Sequence, residues 1–463
     1  MESLGHARSV RTATLRVMPE TAVSASLPAW TVGPFAALLG AIAVLPLVPR
    51  TAHWWESNRS KLAVSAACGL VTLGALAALR GTPAAAGALG HAMAEFVPFI
   101  VLLLSLFVIS GGILVTGDLR GTPRINASIL MFGALVANVL GTTGASMLLI
   151  RPLLRANRDR KHRAHVVVFF IFMVSNTGGL LLPIGDPPLF LGYLRGVPFG
   201  WTLGLWAPWL VVNLLVLGAF WAVDRTLARR EGIDPEGTDA MAEPPAPSVR
   251  VSGTENLAWL GGVIGAAAFL VPGRELGSTG VAIPHGAREA VMLACAGMSL
   301  WRTPRPVREQ NRFGFAPIVE VAALFSGLFV AMQPALELLS ARGAELGVRT
   351  PAQFFWATGV LSSFLDNAPT YLVFADVART VTPDGLAGGV PFSGHPVDPA
   401  LLAAVSCGAV FMGANTYIGN GPNLMVAAIA REEGVRMPTF FGYMLWSGAV
   451  LLPVFAVVTF AFW

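Results

Sequence analysis

The most constraining feature of the sequence is a run of helix breakers and polar residues between two long apolar stretches. The run covers residues 174–189 and reads VSNTGGLLLPIGDPPL, with Asp186 near its end. The flanking apolar sequence is long enough to lie in a membrane. An unpaired backbone group is costly in hydrocarbon, so an unwound segment survives there only against protein or a wet cavity. Because a carboxylate at membrane depth is also costly, Asp186 is predicted to be functional.

The composition indicates a polytopic membrane protein. Of the 463 residues, 54% are hydrophobic and 12% are charged, whereas a soluble domain carries about 25% charged residues. The net charge of +5 does not indicate a nucleic-acid partner, because the basic residues lie in short loops between apolar spans. The sequence has no Walker motif, no cysteine ligand spacing and no nucleophile–base constellation, so neither an ATP-driven pump, an enzyme nor a cofactor is expected.

The apolar spans predict an all-α protein with about ten transmembrane helices. They are expected at about 30–49, 61–79, 94–116, 166–194, 201–223, 255–272, 283–301, 315–340, 399–430 and 438–462. Two further apolar stretches, at about 126–150 and 351–379, are interrupted by GTTGAS at 141–146 and LDNAPT at 365–370. Each half is too short to cross, so both stretches are predicted to be re-entrant hairpins.

The basic residues predict the orientation. If both hairpins are re-entrant, one face collects 21 of the 31 Lys and Arg, and this face is predicted to be cytoplasmic. Both termini then lie outside, and the membrane is predicted to be the inner, cytoplasmic membrane. Residues 1–28 are predicted to be a disordered tail without a cleaved signal peptide. Residues 224–254 are predicted to be a flexible cytoplasmic linker.

The same order of elements is predicted twice. Residues 94–223 and 315–463 each contain a helix, a hairpin, a broken helix and a closing helix, and two transmembrane helices precede each unit, in 29–93 and 255–301. The broken helices share Asn-Thr, followed by GDPPL in the first and GNGPNL in the second. Because the first unit begins outside and the second inside, the repeats are predicted to be inverted, as in many secondary transporters.

The two hairpin tips and the two breaks are predicted to meet near the membrane midplane. Half-helix N-termini suit anions, whereas unwound carbonyls and half-helix C-termini suit cations. Asp186 and Asp366 are predicted to hold a sodium ion or a proton alternately; the alternative is that each caps the half-helix that follows it. The other predicted binding residues are polar side chains at the tips and breaks, together with one glutamate: Thr142, Thr143, Ser146, Asn176, Thr177, Asn367, Thr370, Asn415, Thr416, Asn420, Asn423 and Glu320.

The paired motifs resemble those of the ion transporter superfamily over about residues 30–462. SNTGG at 175–179 with PIGDPP at 183–188, and SSFLDNAPT at 362–370, are most similar to NhaD-type sodium/proton antiporters and CitMHS-type citrate transporters. The resemblance implies a homodimer in which a transport domain moves against a scaffold as an elevator. It also implies that the hairpin tips and broken helices bind substrate and sodium. Dicarboxylate symporters carry Ser-Asn-Thr in both broken helices, whereas the second one here has Ala414 before Asn415 and Thr416.

The sequence therefore predicts a secondary active transporter that exchanges sodium, or another small cation, for protons across the lipid bilayer. The alternative is an ion-coupled symporter for citrate or a related carboxylate. In that case the same aspartates would hold the coupling cations.

Overall fold

The part of the protein that the structure describes is mainly helical. A computed structural model describes residues 27–46, 48–55, 57–117, 119–233, 250–273 and 282–463. Within these ranges the chain forms 18 α-helices and four strands of three residues each. Most of the predicted tail at 1–28 and the centre of the predicted linker, residues 234–249, lie outside the described residues.

The elements follow each other in two similar series. The first contains α1 (Gly33–Val44), α2 (Pro49–Trp55), α3 (Asn58–Arg80), α4 (Thr82–Ser110), β1 (Leu114–Thr116), α5 (Pro123–Ala156), α6 (Ala164–Met173), α7 (Pro187–Leu194) and α8 (Trp206–Arg230). The second contains β2 (Arg250–Ser252), α9 (Asn256–Phe269), α10 (Ala287–Arg302), α11 (Arg305–Gln310), α12 (Ala316–Ala331), α13 (Gln333–Arg342), α14 (Pro351–Phe364), α15 (Asn367–Val381), β3 (Val390–Phe392), β4 (His395–Val397), α16 (Pro399–Met412), α17 (Gly421–Glu432) and α18 (Phe440–Phe462). The strands form two antiparallel pairs, β1 with β2 and β3 with β4.

Helix α5 is a hairpin and not a straight rod. At its middle, Gly141 has φ 76° and ψ 154°, a conformation that glycine tolerates and other residues avoid. The side chains of Asn126 and Asn157 exchange hydrogen bonds of 3.0 and 2.7 Å although the residues are 31 positions apart. A straight helix would separate them by about 46 Å. The chain therefore returns to the end at which it entered, as predicted for the first hairpin.

Helices α14 and α15 form the second hairpin. The chain is extended at Leu365, which has φ −114° and ψ 157°. The rings of Phe354 and Phe374, on opposite sides of this turn, lie 6.4 Å apart, whereas a continuous helix would separate them by about 30 Å. The fold-back predicted for the second hairpin is therefore present.

Both predicted broken helices are interrupted. In the first, α6 ends at Met173, a short 3₁₀ turn covers Thr177–Leu180, and α7 begins at Pro187. In the second, α16 ends at Met412, a 3₁₀ turn covers Gly413–Asn415, and α17 begins at Gly421. Each break thus leaves backbone groups available for other partners.

Glycine is required where each break folds back on itself. A Cβ atom on Gly185 would lie 2.4 Å from the carbonyl oxygen of Gly179, and one on Gly419 would lie 2.6 Å from that of Gly413. No side chain fits at such distances, so the two breaks depend on the same close approach between two backbone segments.

The prediction of about ten full-length transmembrane helices holds only in part. Among the described residues, five helical segments are long and apolar enough to span a membrane by length and composition: α3, α4, α5, α8 with the turn before it, and α18. Helix α5 does not make one continuous span, because it folds back at Gly141. Helices α12 and α13 make a sixth span if they are taken together, with a bend of 44° between them. The broken helices are divided into halves that are each too short, and α9 and α10 have only 14 and 16 residues.

The predicted linker at 224–254 is wrong at both ends. Helix α8 continues through Arg230, because Asp224 is fully buried and accepts hydrogen bonds from Asn126, His165 and Arg160. At the other end, β2 pairs with β1 and places Val251 opposite Val115.

Contacts between loops sort the helix ends into two groups. At one end the contacts are Arg160 Nε with Glu231 (3.2 Å), Arg312 Nη1 with Glu433 (3.3 Å) and Arg163 Nη2 with the Gly434 carbonyl (3.2 Å). At the other end they are Arg80 Nη2 with Glu337 (2.7 Å) and Arg195 Nη1 with Asp376 (3.2 Å). The loops that were predicted to share the basic face lie together, and the assignment of that face to the cytoplasm stays a prediction.

Candidate functional site

Four helix N-termini converge on Asp186. The residue is 2% exposed and is the N-cap of α7. Its carboxylate accepts hydrogen bonds from Thr142 Oγ1 (2.8 Å), Asn367 Nδ2 (2.5 Å) and Asn420 Nδ2 (3.4 Å). Thr142 opens the second half of α5, Asn367 is the first residue of α15, and Asn420 is the N-cap of α17. The two predicted hairpin tips and the two predicted breaks therefore meet at one carboxylate.

The first hairpin tip is also joined to the first break through the backbone. The Thr142 amide donates to the Gly185 carbonyl at 2.9 Å. This bond satisfies a carbonyl that the interruption of the helix leaves without a helical partner. It also holds the Thr142 hydroxyl against the neighbouring carboxylate of Asp186.

The hydrogen-bond donors around Asp186 are all neutral. In the part of the chain that the structure describes, no Lys, Arg or His donates to this carboxylate. The partial positive charges of the helix N-termini surround it instead. Because a buried charge without a cationic partner is costly, the arrangement favours a bound cation or a proton on Asp186.

One acceptor beside Asp186 has no donor. Asn367 is fully buried, and its Oδ1 atom has no hydrogen-bond partner among the described residues. Buried polar atoms are nearly always satisfied, so an orphaned oxygen next to a carboxylate suits a cation or the proton of a protonated acid. Together, Asn367 Oδ1 and the Asp186 carboxylate offer the oxygen ligands that a small hard cation prefers.

Asp366 makes different contacts from Asp186. It is half-buried and is the N-cap of α15, where its carboxylate accepts a hydrogen bond from the Ala368 amide at 3.1 Å. This is the capping role that the sequence left as an alternative for both aspartates. Asp186 makes no such bond to the start of its own helix. Thr370 also serves this helix start, donating to the Asp366 carbonyl at 3.0 Å.

Asparagine side chains connect the two breaks. Asn176 Nδ2 donates to Asn423 Oδ1 at 2.8 Å, although 247 positions separate the two residues. Asn420 Nδ2 donates to Asn176 Oδ1 at 3.2 Å and to the Ser175 carbonyl at 3.0 Å. Asn423 Nδ2 in turn donates to the carbonyls of Gly413 and Thr416, both at 2.9 Å. The first break is thus bonded directly to the second.

The two Asn-Thr pairs are not equivalent, although the sequence pattern aligned them. Asn415 Nδ2 donates to Ser363 Oγ at 2.9 Å, and the Thr416 hydroxyl donates to the Ser363 carbonyl. This second pair therefore holds its break against the hairpin of the same half, whereas Asn176 reaches across to the other half. The spacing explains the difference, because Thr416 stands three residues before Gly419 but Thr177 stands eight before Gly185.

The remaining predicted residues divide between the site and its surroundings. Ser146 Oγ lies 2.8 Å from Ser175 Oγ, which joins the first hairpin to the first break. Thr143 is half-buried at the first hairpin tip. Glu320 pairs instead with Lys61 Nζ at 2.6 Å, between α12 and α3, and is not brought to Asp186.

The closing helices support the breaks, and the sequence reasoning missed these residues. Trp209 Nε1 on α8 donates to the Gly178 carbonyl at 2.9 Å, and Asn213 Oδ1, one turn later, accepts from Thr177 Oγ1 at 2.9 Å. On α18, Tyr443 donates to the Ala414 carbonyl at 2.8 Å, and Ser447, one turn later, donates to the Asn415 carbonyl at 2.7 Å. The signal was a pair of hydrogen-bonding side chains at i and i+4 within each apolar closing helix.

Helices α7 and α15 run side by side from Asp186 towards one end of the protein. Asp186 meets Asn367 at their beginnings, and Arg195 Nη1 meets Asp376 Oδ2 at 3.2 Å nine residues further along each helix. Nine residues of α-helix rise about 13 Å. Between these two contacts, Tyr371 packs so closely on Gly192 that a Cβ there would lie 2.3 Å from its hydroxyl. One helix from each half therefore forms a parallel pair.

The fold and the site define a class of protein. Broken helices that meet in a buried polar centre within an apolar helical protein are typical of transporters. The chain belongs to a transporter family: a family model described as putative citrate transport matches residues 24–463, and this family is part of the ion transporter superfamily. A search of curated proteins finds no match. The predicted superfamily is confirmed. The protein is a multi-pass membrane protein of a transporter family and not an enzyme. The family description agrees with the predicted alternative, a carboxylate symporter, better than with sodium/proton exchange.

Proposed function

We propose that the protein is a secondary transporter that carries citrate or a related carboxylate together with a cation or a proton bound at Asp186. The family match over residues 24–463 supports the class of substrate. The coupling of substrate to a cation or proton is inferred from one observation: four helix N-termini converge on a buried carboxylate whose donors are neutral.

The coupling follows from electrostatics. An ionised Asp186 already occupies the positive field of the helix N-termini and repels a second carboxylate. Two like charges 5 Å apart interact by about 3 kcal/mol at an effective dielectric constant of about 20. This penalty lowers substrate affinity by roughly a hundredfold. A proton or cation on Asp186 removes the penalty, so substrate and coupling ion bind together.

Neutral groups at the site then receive the substrate. The backbone amides at the helix N-termini can donate to a carboxylate once Asp186 is neutralised. Asn367 Oδ1, which has no donor among the described residues, would complete the coordination of the coupling ion. We assign sodium or a proton to Asp186 and give Asp366 a capping role only.

The membrane arrangement belongs to the same proposal. We place the basic face in the cytoplasm of an inner-membrane homodimer, with both termini outside. The shared order of helix, hairpin, broken helix and closing helix supports two inverted repeats. In an elevator cycle, the hairpins and broken helices would carry the centre around Asp186 from one side to the other against the remaining helices.

Cation/proton antiport is the second candidate function. It is favoured because, in the described chain, no Lys, Arg or His donates to Asp186. A cationic side chain at the centre would favour a citrate anion, whereas neutral donors around a carboxylate favour a cation or a proton. In that function Asp186 would exchange a cation for a proton without an organic anion.

Transport by reconstituted protein separates the two functions. Proteoliposomes with an imposed sodium or pH gradient should accumulate labelled citrate, and accumulation should stop when the gradient is collapsed. If sodium or lithium instead dissipates a preset pH gradient without organic acid, and citrate is not taken up, the symport proposal is wrong. Asp398→Asn serves as a matched control for Asp366→Asn, because both aspartates cap a helix start (3.1 Å to the Ala368 amide for Asp366, 2.8 Å to the Ala400 amide for Asp398) and Asp398 lies outside the site.

A further inference from the structure

A polar cavity lies at the far ends of α7 and α15. Its volume is about 510 Å³, within the range of about 300–1,000 Å³ that is usual for small-molecule sites. The charged and titratable groups that define it come from both halves of the chain: Arg80, His91, Arg195, Arg379, His395, Glu337 and Asp376. It opens at the end of the protein that is predicted to face outside.

Carboxylates hold the three guanidinium groups of this cavity in place. Arg80 Nη2 lies 2.7 Å from Glu337, and Arg379 Nε lies 3.2 Å from Asp376. Arg195 bridges Asp376 at 3.2 Å and Glu95 at 2.8 Å. Because Asp376 is shared by two arginines, three guanidinium groups stand against two carboxylates in the cavity lining. Glu95, which holds Arg195 from behind, brings the charges of the cluster into balance.

We propose that this cavity is a second, low-affinity anion site that receives the carboxylate substrate before it reaches Asp186. The identity of the substrate rests on the proposed function. Guanidinium groups bind carboxylates through paired N–H donors, and groups already held in position lose less freedom when they bind. The parallel pair α7 and α15 has the Asp186 centre at its beginning and this cavity about 13 Å further along.

Low affinity follows from the near balance of charges and suits the position of the cavity. A site on the route to a transport centre must release what it captures. Guanidinium groups whose charge is already balanced by carboxylates can bind a di- or tricarboxylate through their N–H donors without trapping it.

The alternative is a purely structural role, in which the ion pairs only hold α3, α4, α7, α13 and α15 together. The Arg80–Glu337 pair distinguishes the two roles, since either member can be neutralised. A structural role predicts that Arg80→Gln and Glu337→Gln have the same effect, because both break the same ion pair. An anion site predicts opposite effects on substrate capture.

The test is the initial rate of citrate uptake from each face, at saturating coupling ion. For uptake from the face at which the cavity opens, Arg80→Gln should raise KM roughly three- to tenfold and Glu337→Gln should lower it. The kcat should be unchanged in both variants. The difference should shrink at high ionic strength. Arg342→Gln is the matched control, because Arg342 pairs with Glu345 at 2.7 Å outside this cavity and should leave KM unchanged.

Two results would overturn the proposal: KM shifts in the same direction for Arg80→Gln and Glu337→Gln, or no KM shift in either folded variant. His395→Gln provides a second variant, because His395 lines the cavity and forms no ion pair with the other described residues. An unchanged KM in this variant, together with an unchanged KM in the other two, would count against the site. Calorimetric titration of citrate at high pH without sodium separates this proposal from the proposed function. Weak binding that Arg80→Gln abolishes supports the anion site even if the protein does not transport citrate, whereas citrate transport with no such binding contradicts it.

Discussion

The two broken helices are built alike but supply different groups to the centre. Both fold back through a close approach between two glycines, and both receive hydrogen bonds from side chains one turn apart on the closing helix. The helix after the first break is preceded by Asp186, whereas the helix after the second is preceded by Asn420. The comparison shows that glycines and buried donors determine the shape of a break, while a single position determines its charge.

The largest expected effect is that of Asp186→Asn, which makes the first break resemble the second. The amide removes the coupling group but keeps the size of the side chain. Gradient-driven citrate accumulation should fall by roughly a hundredfold, following the electrostatic penalty of about 3 kcal/mol, whereas exchange of citrate for citrate should continue. Accumulation at the wild-type level would show that the charge at this break does not couple transport.

The second-largest effect is expected from substitutions of the glycines at which both breaks fold back. Gly185→Ala and Gly419→Ala each place a methyl group within 2.6 Å of a carbonyl oxygen, so each should destabilise the protein by about 1–3 kcal/mol. Thermal unfolding of detergent-purified protein measures the loss. Gly421→Ala is the control, because no atom lies within 4 Å of the added carbon. A large loss in only one of the first two variants would mean that the breaks are not built alike.

A smaller effect is expected when a supporting donor is removed. Tyr443→Phe deletes the hydrogen bond to the Ala414 carbonyl and should cost about 0.6 kcal/mol, the average for hydrogen bonds between membrane helices. Trp209→Phe should cost more, because it also leaves space around the Gly178 carbonyl. Denaturation curves compare the two. Equal losses would indicate that the indole contributes only its donor.

The smallest effect is expected for Asp366→Asn. Asparagine caps a helix as well as aspartate does, and the capped amide of Ala368 keeps its acceptor. Citrate accumulation should stay within about twofold of wild type. A loss as large as that of Asp186→Asn would return Asp366 to the coupling cycle and make the two halves more alike in charge than the contacts indicate.

Local sequence predicted the interruptions well. Gly141, Pro187 and Gly421 stand where helices break or begin, because the conformational limits of glycine and proline act over a few residues. The position of Asp186 at a meeting point of tips and breaks followed from the repeated pattern. Family membership followed from the same motifs.

Partners that are distant in sequence could not be predicted in this way. Asn176 meets Asn423 across 247 positions, and nothing in either local pattern specifies the other. The two aspartates looked alike because each precedes a helix start, and only the tertiary fold gives Asp186 its donors from three other segments. Likewise, α8 extends into the polar linker because Arg160 and His165 approach Asp224 from elsewhere in the chain.

The parallel pair of α7 and α15 has a consequence for how such sequences diverge. It joins the halves at two places, Asp186 with Asn367 and Arg195 with Asp376. On each of the two segments, the first joint is nine residues away from the second. An insertion or deletion within either helix would put one joint out of register. Among homologues these two segments are therefore expected to keep a constant length, and the residues of each joint should change together: a lineage that loses the carboxylates at both 95 and 376 should also lose the guanidinium at 195.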